Sequence, residues 1–160
     1  RQNATMARLL AQQTDAYLRE MAGYFAALDL PHAAPTPSPA PTALLARGQA
    51  LARQGDAAHQ LPACSACHGL QLTGVQPAVP GLLGLPRDYL IGQLGAWQTG
   101  QRHAQAPDCM AQIAKQLTPA DVSAVAAWLA AQPVPPAAQA DATAPGPVPL
   151  RCGSTDHPPP

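Results

Sequence analysis

The amino-acid sequence predicts an all-α fold, and three observations carry that prediction. Helix starts and stops are punctuated by Thr, Pro and Gly. Between them, apolar residues recur at helical spacing. No run alternates with the period of two that a half-buried strand requires.

The first helical segment comes with a repeat. Residues 6–28 align without gaps on residues 110–132, at a constant offset of 104. Met6, Gln12, Thr14 and Ala22 meet identical residues at Met110, Gln116, Thr118 and Ala126. The apolar stripe also corresponds, with Leu9 on Ile113, Leu18 on Val122, Met21 on Val125, Tyr24 on Trp128 and Phe25 on Leu129. Residues 1–30 therefore read as the closing helical part of a domain whose beginning lies outside this chain. Residues 31–41 follow, with prolines at 31, 35, 37, 39 and 41, and read as a stiff, extended linker.

Residues 42–133 read as one compact domain. Thr42 is a candidate cap for a helix with Leu44, Leu45, Gly48, Leu51 and Ala52 on its apolar side and Gly55 as its stop. Pro86 suits the first turn of a second helix, with Leu90, Leu94 and Trp97 on one face and Gly100 at its end. Thr118, Pro119, Ala120 and Asp121 read as a capped start for a last helix carrying Val122, Val125, Ala126 and Leu129. The remainder, 134–160, is again rich in proline and poor in large apolar residues, so it is expected to be irregular.

Between the first two of these helices lie Cys64, Ser65, Ala66, Cys67 and His68, followed by Gly69. Two thiols three positions apart can each add across a vinyl group of one porphyrin, and the adjacent His then lies beneath the iron. This C-x-x-C-H is the pattern of covalent haem c attachment. A protein that only moves electrons needs a sixth ligand. Met110 is the one Met downstream of the pattern, and its soft thioether sulfur favours ferrous iron. His103, seven residues earlier, is the rival ligand. His32, His59 and His157 read as solvated side chains.

Cys109 and Cys152 remain. They offer no paired spacing for zinc. In the oxidising compartment that haem c attachment implies, they are candidates for a disulfide pinning the tail beside Met110. Such a loop of roughly 40 residues contributes on the order of 3–4 kcal/mol if unstrained.

The chain resembles a class I cytochrome c, and more narrowly a domain of bacterial two-domain, dihaem cytochromes c. The resemblance rests on Gly48, the Cys64-to-Gly69 pattern, Pro80, Gly81, Leu82, Leu83, Gly84, Tyr89, Trp97, Gly100, Gln101, Arg102, Met110 and Trp128. It implies that Gly48 packs against Trp128. It also implies that the Pro80 carbonyl bonds to the proximal imidazole, and that Tyr89, Trp97 or Arg102 lie near the haem propionates. Arg102 and Met110 stand three residues further apart than Arg1 and Met6, and the insertion brings Pro107 and Cys109.

One haem c on this chain is expected, and the repeat leaves room for a second in a domain absent from it. Nine Lys and Arg balance nine Asp and Glu, and only 11% of residues are charged, which argues against a nucleic-acid partner. No apolar run reaches the length of a membrane span, and none resembles a signal peptide. The expected function is single-electron transfer between redox proteins (dehydrogenase, oxidase or another cytochrome) in the bacterial periplasm, without substrate catalysis. The alternatives are a cytochrome subunit permanently docked in a dehydrogenase or oxidase complex, and an open-site ligand sensor or peroxidase.

Overall fold

A computed structural model describes residues 2–28, 35, 39–136 and 138–156. Most of the expected linker, together with His32 and His157, lies outside these residues. The chain opens with strand β1 (Gln2–Asn3) and helices α1 (Ala4–Leu10) and α2 (Asp15–Ala26). Thr14 caps α2 by accepting a hydrogen bond from the Tyr17 amide at 3.2 Å.

Helix α3 (Thr42–Arg53) begins one residue earlier than the expected cap implies. Pro41 takes the N-cap position, and its carbonyl accepts from the amides of Leu44 and Leu45. A proline's fixed φ suits the extended entry, and its missing N–H costs nothing there. A 3-10 turn (Ala57–His59) leads to α4 (Cys64–His68), the C-x-x-C-H wound into a short helix. Strands β2 (Gly74–Val75) and β3 (Val79–Pro80) pair antiparallel. Helix α5 (Arg87–Gln98) has Pro86 at its N-cap, one position before the expected first turn.

Strand β4 (Arg102–His103) pairs antiparallel with β1, placing Gln2 opposite His103 and Asn3 opposite Arg102. Helices α6 (Cys109–Gln116) and α7 (Pro119–Ala130) complete the core domain, and α8 (Gly153–Asp156) is a single turn in the tail. The strands are two residues each, so the fold is all-α in substance.

Helix α7 starts where the sequence places it. Thr118 and Asp121 form a reciprocal capping box, Pro119 occupies the first turn, and the helix is buried over most of its length. It crosses α3 at Gly48. A Cβ there would stand 2.7 Å from the Ala124 carbonyl carbon and 2.8 Å from Trp128 Cβ. The expected Gly48–Trp128 contact is present, and the absence of a side chain permits it. Leu51, Ala52, Leu61, Leu72, Leu90, Leu117, Val122, Val125 and Leu129 form the core around that crossing.

Arg47 reaches from α3 to Asp121 at 2.8 Å and to Asp56 at 2.9 Å. Arg53 donates to the Leu70 carbonyl and lies over the Trp128 ring, 5.5 Å from its centroid. These bonds hold α3, α7 and the loop after α4 as one frame.

The tail is largely irregular, yet it is laid against the domain. Asp141 bridges to Val75, with its N–H donating to the Gly74 carbonyl and its own carbonyl accepting from Gln76. Among the described residues, no helix is long and apolar enough to cross a membrane.

Candidate functional site

Helix α4 presents Cys64, Cys67 and His68 to one cavity of about 230 Å³. The i, i+3 spacing puts both thiols on one side of a short helix. Core leucines including Leu51, Leu61, Leu90 and Leu94 make its walls apolar. Burial pushes the Cys64 thiol up to about 11 and raises Cys67 as well. This is opposite to the depressed thiolate of a redox-active C-x-x-C.

His68 is buried, and its Nδ1 lies 2.7 Å from the Pro80 carbonyl oxygen. A carbonyl can only accept, so Nδ1 carries the proton and the lone pair is on Nε2, the tautomer a metal ligand needs. The short β2–β3 hairpin delivers that carbonyl, as the resemblance implies.

Met110 enters the same cavity from the second position of α6. Both ends of that helix are fixed. Asp108 caps its start, accepting from the Ala111 amide at 3.0 Å and from the Ala104 amide at 2.6 Å. The Gln98 side-chain amide donates to the Ala114 and Leu117 carbonyls at 2.8 and 2.9 Å, satisfying acceptors at the helix end. Cys109, adjacent to Met110, is joined to Cys152, with Cα atoms 5.4 Å apart.

Tyr89, Trp97 and Arg102 also line the cavity. The Arg102 guanidinium stacks on Trp97, 4.3 Å from the ring centroid. Trp97 Nε1 and Arg102 Nε are the two side-chain nitrogens, among the described residues, that are buried without a hydrogen-bond partner. Orphaned donors beside an apolar cavity are costly unless an acceptor arrives. A porphyrin carboxylate supplies one. An imidazole, a thioether, two thiols, apolar walls and two waiting donors together fit haem c.

His103 sits on β4, outside the cavity lining, and His59 is bonded to Asp56 at 2.9 Å with an exposed ring. Neither meets the other site residues. Sequence reasoning missed Gln98 and Asp108, which hold α6. It also missed the tail residues Leu150, Ser154 and Thr155, which line the cavity. For the tail, a signal existed in Cys152. For Gln98, a lone amide in a helix gives none.

The chain matches the family described as cytochrome c over residues 45–133. It is 37% identical over 142 residues to a thiosulfate dehydrogenase electron acceptor from Thiomonas intermedia, a match covering 89% of this chain and 64% of that protein. A solved thiosulfate dehydrogenase from Marichromatium purpuratum superimposes with a TM-score of 0.68 at 33% identity, over 83% of this chain and 28% of the other. Cytochrome c4 from Acidithiobacillus ferrooxidans gives 0.62 at 35% identity, over 77% and 68%. The cavity chemistry and these likenesses agree: the chain belongs to the cytochrome c family, whose cofactor is covalently bound haem c.

Proposed function

We propose that this chain accepts single electrons from a thiosulfate-oxidising dehydrogenase and passes them to a further redox protein. In this reading Cys64 and Cys67 carry the haem thioethers, and His68 and Met110 are the axial ligands. One observation carries it: α4 and α6, separate in sequence, bring an imidazole, a thioether and two thiols to one apolar cavity. Bound haem supplies an iron that cycles between ferric and ferrous states. The Pro80 carbonyl fixes the His68 ring and raises its basicity. Asp108, Gln98 and the Cys109 crosslink hold Met110 in place, which keeps small ligands out. Trp97 and Arg102 offer their donors to the propionates.

A protein confined to electron transfer needs no acid–base group at the iron, and His103 stands away from the cavity. That favours electron transfer over a sensor or peroxidase. The likeness to an electron acceptor favours a dehydrogenase as donor, either in a docked complex or by encounter. Haem c attachment to exported thiols supports a periplasmic location.

Residues 1–30 belong, in this reading, to a further cytochrome c domain with its own haem. In support, α2 and α7 have the same length, and Thr14 caps the first as Thr118 caps the second. Yet α2 buries none of its residues while α7 buries most. Tyr24 and Phe25, each 63% exposed, stand where α7 has buried Trp128 and Leu129.

The test mixes matured protein with a thiosulfate dehydrogenase and thiosulfate, following haem absorbance by stopped flow. Reduction that requires both enzyme and substrate is expected. A matured protein without covalent haem, or one that stays ferric, overturns the assignment.

A further inference from the structure

We infer that residues 141–155 of the tail form a strap that closes the Cys67 side of the cofactor cavity and positions Met110, turning electron exchange away from that side. The inference rests on the cavity holding haem c, and three anchors in the structure carry it. At one end, Asp141 is bonded to β2 through Gly74 and Gln76, beside the loop that follows His68. Its carboxylate lies so close that a Cβ on Gly69 would stand 2.7 Å from Oδ2. At the other end, Cys152 is joined to Cys109, the residue before Met110. Next to it, the Gly153 amide donates to the Pro107 carbonyl at 3.0 Å, and a Cβ there would meet the Ala106 carbonyl carbon at 2.6 Å. That approach leaves room only for glycine.

The strap thus runs from the segment bearing the imidazole to the segment bearing the thioether. Between these anchors it forms wall. Leu150, Cys152 and Thr155 line the cofactor cavity. Ala144, Val148 and Thr155 line a second cavity, and Cys67 borders both. A thioether edge left open is a contact point for small redox reagents. Here Cys152 and Thr155 of the strap line both cavities that Cys67 borders. Cys152 acts on Met110 through Cys109, as a positioning residue, by limiting how far the start of α6 can swing from the iron.

The test uses the full-length matured holoprotein and its Cys109→Ser/Cys152→Ser double variant. A second route is wild-type holoprotein whose disulfide has been reduced with a phosphine and alkylated. Three measurements follow: amide hydrogen exchange of residues 141–155, the rate of carbon monoxide binding to the ferrous form, and the rate of oxidation by an inorganic outer-sphere oxidant. Release of the strap is expected to raise exchange in 141–155 and to speed carbon monoxide binding and oxidation several-fold, at unchanged haem content. Faster exchange in the strap with unaltered reaction rates overturns the inference. Unaltered exchange overturns it too, because the crosslink then holds nothing in place. Lack of covalent haem in the unmodified protein would instead remove the haem assignment, a failure read directly from its absorbance.

Discussion

With Met110 as the proposed axial ligand, it is the residue on which the redox properties turn. A thioether opposite imidazole raises the reduction potential relative to a second nitrogen ligand and closes the iron to exogenous ligands. Met110→Ala removes the sulfur but leaves α4, both thiols and the Pro80 bond to His68 untouched. The expected protein retains covalent haem, has a lower midpoint potential, loses the weak far-red band of sulfur-ligated ferric haem and binds carbon monoxide rapidly. Potentiometry and ferrous absorbance spectra check this, and an unchanged potential would mean that another group ligates the iron. Gln98 tests the same helix from its other end. Gln98→Leu strips the donor from the Ala114 and Leu117 carbonyls in a part-buried setting. Ala114 still accepts from the Leu117 amide, but the Leu117 carbonyl is left unpaired, which costs about 1–3 kcal/mol, measurable as a fall in thermal midpoint with haem content intact.

At the scale of elements, the α3–α7 crossing sets the frame. Gly48→Ala gains roughly 1 kcal/mol of helix propensity. Its methyl, however, would press on Ala124 backbone and Trp128 Cβ, which no rotamer change relieves. Overpacking of this kind costs about 1–3 kcal/mol, so a lower thermal midpoint is expected and a higher one would refute the close approach. The same frame carries the acid sensitivity. Burial opposes the charge on Asp121, yet the bonds from Arg47 and Thr118 prevail and hold its carboxyl below the ordinary 3.8. Arg47 and His59 likewise lower Asp56. A carboxyl lowered in the folded state binds fewer protons than in the unfolded one. Its stabilisation is therefore complete above about pH 4 and lost as pH falls through the folded value. Arg47→Gln is expected to move acid unfolding, followed by circular dichroism, to higher pH. These elements were legible where chemistry is local. The Thr118–Asp121 box, the helical stripes and the glycine at position 48 each leave a mark within one segment. The Arg47 network joins residues 74 positions apart through charges that recur on any helix surface, and so left no mark in the sequence.

For the molecule as a whole, the tail shows where sequence reading ends. Its composition gives no periodicity, so only Cys152 pointed to where it goes. Its path across the cavity follows from Asp141 and Gly153, whose roles depend on backbone partners far away in sequence. Charge is the property that sequence does give globally, and it yields the last prediction. Across residues 42–133 five cations, Arg47, Arg53, Arg87, Arg102 and Lys115, face four carboxylates, Asp56, Asp88, Asp108 and Asp121. Arg47 is already bonded to two of those carboxylates, and Arg102 stacks on Trp97. Little field is left to steer a partner. Steered pairs associate far faster at low salt than at high salt, because the Debye length falls from about 30 Å at 0.01 M to about 10 Å at 0.1 M. For this protein the second-order rate of reduction by the proposed dehydrogenase donor is expected to change by less than about threefold over that range. Stopped-flow measurement at the two ionic strengths decides the point. A steep fall with salt would locate a charged docking face outside the cytochrome domain, in the N-terminal segment or the tail. A flat profile places recognition in apolar contact or in a permanent complex, where the donor is held in place and needs no long-range attraction to find the haem.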